Sequence, residues 1–152
     1  MAEIDKIIVA DGATARAYAP LVYATAFDYD FAVSGDAAAG IAISTNFVPV
    51  GARVIGGWYE VLTTFTTNGA DGGTLALSLV GANDLVTAIA VSDASNPWDV
   101  DLTKRRPLKS IAAALTTRKQ VVITSATQTT TAGKLFGVVE WIYPASTDSS
   151  GH

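Results

Sequence analysis

The chain has 152 residues, of which 49% are hydrophobic and 16% are charged, and its net charge is -4. This length supports one domain with a real core, and the composition is too apolar for disorder. The chain has no cysteine and its one histidine is His152, so disulfides, thiolate metal sites and histidine-dependent catalysis are excluded and we expect no metal and no cofactor. The acidic balance argues against nucleic acid as a main partner, and the absence of a long apolar run predicts no membrane span.

Residues 1–20 are predicted to form an N-terminal arm. The segment KIIVA is typical of a short strand, but the residues that follow it have weak periodicity and end at Pro20. We expect this arm to be extended and to become ordered against a partner.

The segment FDYDFAV predicts a strand with one buried face. Phe27, Tyr29, Phe31 and Val33 alternate with Asp28, Asp30 and Ala32, which is a period of two. The paired carboxylates Asp28 and Asp30 suggest glycosidase chemistry as one alternative. A solvated acidic face is the other, and it is favoured because the two carboxylates are neighbours on a single strand.

Residues 52–80 read as two strands around the loop TNGADGG, and the pair is predicted to be a long hairpin. The odd positions of the first strand, Ile55, Tyr59, Val61 and Phe65 among them, predict the core face. The paired glycines Gly56 and Gly57 indicate a bulge or a close backbone approach. Trp58 lies on the other face, and the sequence leaves open whether a neighbouring strand covers it or it faces another subunit.

The segment of residues 81–109 is less regular than the strands before it. NDLVTAIAV fits either a helical turn capped by Asn83 or a short strand, and SDASNPWD is a turn by composition. Trp98 in that turn is the tryptophan best placed for exposure, although a plug for the loop is favoured. The segment TKRRPLK carries most of the basic charge, and contact with an acidic protein is favoured over contact with nucleic acid.

The last third returns to strands. SIAAALT and KQVVITSAT are strand candidates, and GKLFGVVEWIYP is a final strand that is apolar on both faces. A strand of that kind lies between layers or against a neighbour. The whole pattern predicts an all-β fold, an antiparallel β-sandwich of jelly-roll type with about eight strands.

Charge is distributed unevenly along the chain. Residues 1–98 hold three cations and ten acids, whereas residues 99–152 hold seven cations and four acids. The acidic and basic parts of such a chain form ion pairs either within one fold or between neighbouring subunits, and ion pairing within the fold is favoured. We expect an arm at 1–20, the sandwich at 21–145 and a flexible tail at 146–152, whose ending SSGH is typical of an expression tag.

The phrases STNFVPVGARVIGGWYEVLTTFTT, GGTLALSLVGANDLVTAIAVSDASNPWD and TAGKLFGVVEW resemble small virion proteins of tailed bacteriophages. The resemblance spans about residues 40–142 and lies in phrases and spacing. It implies a head decoration, or cement, protein that is not an enzyme. Such proteins include jelly rolls that stand as trimers on the capsid exterior and staple neighbouring capsomers, so the implied partners are the major capsid protein and two further copies of this chain.

These expectations give a set of candidate contact residues. An arm is a natural clamp onto a neighbouring subunit, and the basic stretch suits an acidic surface. The predicted interface residues are Ile7, Ile8, Tyr18, Trp98, Lys104, Arg105, Arg106 and Lys109. Two other functions stay open, a receptor- or glycan-binding module of a phage tail or fibre that uses Trp58, Trp98 and Trp141, and a hydrolase that uses Asp28 and Asp30.

Overall fold

The computed structural model describes residues 21–101 and 103–144, together with the backbone of two short strands near the N-terminus. Those two strands pair with each other in antiparallel fashion, so the chain turns back within the predicted arm. In chain order the elements are β1 (Ile7–Ile8), β2 (Arg16–Ala17), β3 (Tyr23–Asp30), α1 (Phe31–Ser34), β4 (Ile41–Ala42), β5 (Arg53–Thr67), α2 (Asn68–Asp71), β6 (Thr74–Ser78), β7 (Val86–Ala90), β8 (Arg106–Pro107), β9 (Val122–Ala126) and β10 (Thr130–Ile142).

Eight of these strands form two antiparallel four-stranded sheets. The first sheet has the order β3-β10-β5-β8 and the second has the order β4-β9-β6-β7. The chain crosses between sheets at every connection from β3 to β10 except the one from β6 to β7. The predicted all-β antiparallel sandwich is thus confirmed, and its jelly-roll subtype stays a prediction with which this crossing pattern is compatible.

One hydrophobic core fills the space between the two sheets. Alternate residues of each strand point inward, as a period of two requires. The first sheet contributes Phe27, Tyr29, Val61, Phe65 and Leu135, and the second contributes Leu75, Leu77 and Ile123. Tyr59 is buried among them, as its odd position in β5 predicted.

The predicted hairpin of residues 52–80 is wrong. β5 pairs with β10 and β8, whereas β6 pairs with β7 and β9 in the opposite sheet. The glycine-rich loop between them contains Gly69, Ala70 and Asp71 at φ values of 64°, 62° and 58°. This left-handed run redirects the chain across the sandwich instead of folding it back into the same sheet.

Two other strand predictions need correction, and one segment with two open alternatives is resolved. β3 stops at Asp30, whose side chain accepts a hydrogen bond from the Ala32 amide and caps α1, so Val33 is exposed rather than buried. The segment SIAAALT forms no strand, although the Ile111 amide donates to the Val54 carbonyl in β5 and the Leu115 amide donates to the Ala52 carbonyl just before β5. The ambiguous segment NDLVTAIAV contains strand β7 rather than a helical turn.

Gly56 and Gly57 form both features that the sequence indicated. The register of β5 against β10 shifts between Val54 and Gly56, so Ile55 is an extra residue in β5. A Cβ on Gly57 would lie 2.1 Å from the Val138 carbonyl oxygen, which is a close backbone approach. The bulge also reverses the alternation, so Val54 is buried and Ile55, which was predicted to be core, is exposed.

The boundaries of the predicted arm, sandwich and tail stay predictions. The side chains of residues 1–20 and all of residues 145–152 lie outside the described part. Among the described residues, no helix has the length and apolar character needed to span a membrane.

Candidate assembly interface

The outward side of the first sheet, here called the outer sheet face, is apolar at its centre. It carries Trp58 and Leu62 from β5 and Phe136 and Val138 from β10. Phe136 and Leu62 are each 37% exposed, and the rings of Trp58 and Phe136 lie 5.7 Å apart. Within the described residues no further layer covers these side chains, and this is the arrangement expected of a strand that packs against a neighbour.

Trp58 lies on this face, and the side chain of Arg105 packs over its ring. The Arg105 guanidinium carbon lies 3.8 Å from the centroid of the Trp58 ring, which is a cation–π contact. Arg105 Nε also donates a hydrogen bond of 2.8 Å to Glu60 on the same strand as Trp58. The sequence left open whether a neighbouring strand covers Trp58 or whether Trp58 faces another subunit. In the structure Trp58 is half-buried on the outward side of the sheet, and no strand of the described part covers it.

Charged side chains surround the apolar centre. Asp28 is exposed on β3, Asp30 and Lys134 form an ion pair of 3.4 Å, and Glu140 lies further along β10. An apolar centre inside a polar rim is the usual anatomy of a protein–protein contact.

The acids Asp28 and Asp30 do not form a catalytic pair. They lie two residues apart on one strand, and Asp30 is engaged by both Lys134 and the Ala32 amide. Glycoside hydrolysis needs two carboxyl groups that flank a bond from opposite sides. A shallow cavity of about 350 Å³ lies beside Asp30, and its lining residues Asp30, Phe31, Ala32, Thr63, Ala132, Gly133 and Lys134 bring no second carboxylate to it.

The four cations of the basic stretch all contact their own chain. Lys104 pairs with Asp101 at 3.6 Å and Arg105 with Glu60. Arg106 Nη2 donates to the carbonyl oxygens of Asn96 and Asp99, so it holds the turn that precedes it, and Lys109 contacts the Thr87 hydroxyl. Lys104, Arg105 and Lys109 stay exposed, whereas Arg106 is half-buried.

Trp98 is the loop plug that the sequence favoured, and it is not on the surface for which it was named as an interface residue. Its side chain is fully buried, its indole N–H donates to the Ile89 carbonyl at 3.1 Å, and its ring packs against Tyr59 and Phe65. Trp98 therefore plugs the loop into the core, because an indole gains more from burial with a satisfied N–H than from exposure.

The other tryptophan in a strand, Trp141, is also buried. Its indole N–H donates to the Thr25 hydroxyl, and Tyr23 stacks on it at 4.6 Å. Of the three tryptophans, Trp58 alone reaches the surface of the described sandwich.

The arm candidates are only partly visible. Ile7 and Ile8 form β1, with no description of their side chains, and Tyr18 lies outside the described residues. The candidate residues that sequence reasoning missed are Leu62, Phe136 and Val138. The signal for two of them was present, because the apolar character of both faces of β10 indicated a neighbour.

Burial changes the acidity of two core tyrosines. Burial raises the pKa of Tyr59 to about 12, with Arg106 opposing the rise, and the Tyr59 hydroxyl donates to the Pro97 carbonyl. Burial also raises the pKa of Tyr29 to about 12, and Asp36 and Asp30 add to the effect. Both hydroxyls are structural donors to carbonyl groups. The described residues include no group of three or more carboxylates or imidazoles able to hold a metal ion.

No known protein-family model matches the sequence, and no curated protein sequence matches it either. Three solved structures share its fold. A chain from the capsid asymmetric unit of cyanophage Pam1 has a TM-score of 0.59 and 21% identity, over 86% of this chain and 95% of that chain. A chain from the capsid of Ralstonia phage GP4 has a TM-score of 0.53 and 16% identity, over 82% of this chain and 86% of that chain.

The third is a chain from the acid-stable capsid of Helicobacter pylori bacteriophage KHP30, with a TM-score of 0.52 and 15% identity, over 82% of this chain and 90% of that chain. Each likeness spans most of both chains, so each matched chain is a small sandwich of similar extent. The fold of this chain is therefore one that recurs in phage capsids.

Proposed function

We propose that this protein is a non-enzymatic structural protein of a bacteriophage virion, and that it is a decoration, or cement, protein on the exterior of the head. One observation carries the proposal: three independent phage capsids contain a chain of this fold that is matched over nearly its whole length. The phrases of the sequence that resemble small virion proteins support it separately.

The outer sheet face supplies a means of attachment. We propose that Trp58, Leu62, Phe136 and Val138 pack against the major capsid protein, and that the charged rim orients the contact. Burial of apolar surface stabilises a contact by about 25 cal/mol per Å² before the entropy lost on association. A modest contact of this kind suffices for a shell protein, because many copies bind at once and one copy that spans two subunits links them.

Self-association belongs to the same proposal. We propose a homotrimer, which is the assembly that the resemblance to head decoration proteins implies. A closed cyclic trimer repeats one contact around its axis and presents three equivalent faces to the shell. The exposed basic residues and the arm at 1–20, with Ile7, Ile8 and Tyr18, are the proposed further contacts.

The surface gives less support to a glycan-binding module. Sugar rings stack on open aromatic faces, whereas Trp98 and Trp141 are buried and Arg105 covers the ring of Trp58. The proposed function therefore remains attachment to protein.

The test is a binding experiment with phage heads that lack the protein. Heads from a phage with this gene deleted are mixed with the purified chain and sedimented. We expect saturable binding and a reconstruction with density for the sandwich on the outer shell. Phe136→Ser is expected to weaken binding at least about tenfold, which corresponds to about 1.4 kcal/mol.

A matched control is Val33→Ser, which changes an exposed apolar residue of α1 that is not one of the four apolar residues of the outer sheet face, and it is expected to bind as the unaltered chain does. A virion reconstruction that has the protein in the tail, or nowhere on the head, would overturn the proposal.

A further inference from the structure

β3 is an edge strand of the first sheet, and part of its outward edge has no partner among the described residues. β3 pairs with β10 on one side only. On the other side the Asp28 amide donates to the carbonyl of Ile43, directly after β4, at 3.0 Å, which closes the edge at that point. The backbone groups of an antiparallel strand alternate between its two sides, so those of Ala24 and Ala26 point the same way as the Asp28 amide. Residues 21–27 are here called the open edge.

The open edge lacks the features that normally protect an edge strand. Its sequence LVYATAF contains no charge, no proline and no glycine, and its strand residues pair with β10 without a bulge. Leu21 and Val22 are 71% and 56% exposed. The other edges of the two sheets are protected, because β4 and β8 are two residues long and Lys109 contacts Thr87 of β7. Among the described strands, β3 is therefore the one best suited to accept a further strand.

The arm contains a small sheet that needs such a partner. β1 and β2 have two residues each, and in the described part of the arm they pair with each other and with no other strand. A two-stranded ladder is marginally stable in water until a further strand or a packed face supports it. The same copy does not supply that strand. Residues 18–22 separate β2 from β3, a length typical of a hairpin loop, yet these two strands do not pair.

We propose that β1 of one copy adds to the open edge of the next copy as a further strand. Main-chain hydrogen bonds supply the affinity of such a contact. The arm joins the sandwich at Leu21, where the open edge begins, so the donating and accepting segments lie at the same end of each copy. Residues 1–20 span up to about 66 Å when extended, and a small domain is about 30 Å across, so the arm can cross to a neighbour.

The contact suits a closed ring. Each copy gives one arm and accepts another, and a contact between two different surfaces closes when the rotation between neighbours divides a full turn. The inference rests on the homotrimer of the proposed function and deepens it, because it names the segments that meet. It leaves the outer sheet face available to the shell.

Hydrogen exchange of individual amides in the full chain tests the contact. The amides of Thr25 and Phe27 point to β10 and are expected to exchange slowly at every protein concentration. The amides of Ala24 and Ala26 are expected to exchange at least about tenfold more slowly above the dissociation constant of the oligomer than below it, because the added strand protects them only there. Sedimentation equilibrium of the purified protein, with no capsid present, gives that dissociation constant.

Two substitutions at one position isolate the edge hydrogen bond. Ala26→Pro removes an N–H that points away from β10, where proline is tolerated, and it is expected to raise the dissociation constant at least about tenfold. Ala26→Ser keeps the N–H and is the control, with a dissociation constant expected within about twofold of the unaltered chain. Circular dichroism checks that both variants are folded. If the proline variant does not fold, the exchange measurement on the unaltered chain still decides.

A variant of the arm tests whether β1 is the added strand. Ile7→Gly with Ile8→Gly removes the β-branched side chains that favour a strand, and it is expected to raise the dissociation constant at least about tenfold. Ala13→Gly with Ala15→Gly changes the arm between its two strands and is the control. Combining the Ile7 and Ile8 changes with Ala26→Pro is expected to cost less than the sum of the two effects, since both variants break one contact.

Several results would overturn the proposal. A strict monomer at every concentration, or rapid exchange of the Ala24 and Ala26 amides in the oligomer, would mean that no neighbour fills the open edge. Slow exchange of these amides at every concentration would mean that each copy fills its own edge. Dissociation by Ala26→Pro but not by the Ile7 and Ile8 variant would mean that the edge meets another part of the neighbour. Failure to bind heads is a separate result that contradicts the proposed function while leaving these measurements intact.

Discussion

At the scale of single residues, Gly57 limits what β5 can accept. Its φ of 139° is a conformation that side chains rarely adopt, and an added Cβ would lie 2.1 Å from the Val138 carbonyl oxygen. That oxygen belongs to the backbone of the neighbouring strand and cannot move alone. Gly57→Ala is therefore expected to lower the free energy of unfolding by about 2–5 kcal/mol, measured by urea denaturation.

Gly56→Ala separates the two causes of that loss. Gly56 has a similar φ of 145°, but its added Cβ would meet its nearest atom at an ordinary 3.7 Å. It is expected to lose about 1–3 kcal/mol, for backbone strain alone. Equal losses in the two variants would mean that the close approach to Val138 has no energetic consequence.

The two buried tyrosines predict a loss of stability in alkaline solution. The folded-state pKa of about 12 for Tyr59 and Tyr29 lies above the ordinary value of 10.0, so folding favours the neutral phenols. Their contribution is fully present below pH 10 and is lost as the pH rises from 10 towards 12. For Tyr59 alone the loss is about 2–3 kcal/mol, at about 1.4 kcal/mol per pH unit.

Urea midpoints measured from about pH 9 to about pH 11.5 test this expectation, because this range includes the pH at which the loss of stability begins. The double variant Tyr29→Phe, Tyr59→Phe is expected to be less stable at neutral pH, because it loses two hydrogen bonds, but to decline less steeply above pH 10. Tyr143→Phe changes an exposed tyrosine and is the control. An unchanged slope in the double variant would contradict the assignment to these two residues.

At the scale of elements, the period of two predicts well until a local feature interrupts it. The alternation correctly predicted the inward faces of β3 and β6 and the burial of Tyr59. It failed at Ile55 because one extra residue in β5 inverts the faces beyond the bulge, and it failed at Val33 because Asp30 caps a helical turn. Glycine pairs and capping residues mark where such interruptions are possible, but the partner strand determines their register.

Neighbouring residues of β10 lie on opposite faces of the strand, so their substitution is expected to have different effects on stability. Leu135 is fully buried and points into the core, whereas Phe136 points out to the outer sheet face and is 37% exposed. Leu135→Ala is expected to cost about 2–5 kcal/mol of stability, because it leaves a cavity. Phe136→Ala is expected to cost about 1 kcal/mol or less.

Urea denaturation of the two variants measures the difference, and head binding is the second readout. Phe136→Ala is expected to impair binding while the protein stays folded. A cost for Phe136→Ala as large as that for Leu135→Ala would indicate that the outer sheet face is covered within the chain.

At the scale of the whole molecule, the sequence predicted the class but not the assignment of strands to sheets. Alternating runs and turn signals were sufficient for a sandwich of about eight strands. The hairpin expectation failed because adjacent strands in a sandwich either pair or cross to the other sheet, and the local sequence of a glycine-rich loop permits both. The candidate interface was likewise predictable only in part. The two apolar faces of β10 were visible in the sequence, whereas the burial of Trp98 depends on the distant residues Tyr59 and Phe65.

The order of the strands makes the sandwich dependent on its last strand. β10 lies between β3 and β5, so the first sheet has no continuous centre until residues 130–142 are in place. The two short strands β1 and β2 pair with each other and belong to neither sheet of the sandwich. A chain that ends before β10 is therefore expected to be unfolded, since β3 and β5 would lack their shared partner.

A chain of residues 21–145 tests both the predicted domain boundary and the predicted arm. It is expected to unfold within about 1 kcal/mol of the full chain, because every strand of the sandwich and its core are retained. If residues 1–20 clamp a neighbouring subunit, the shortened chain binds heads at least about tenfold more weakly, since the contact area that the arm adds is gone. Undiminished binding by a folded 21–145 chain would remove the arm, with Ile7, Ile8 and Tyr18, from the interface and leave attachment to the outer sheet face.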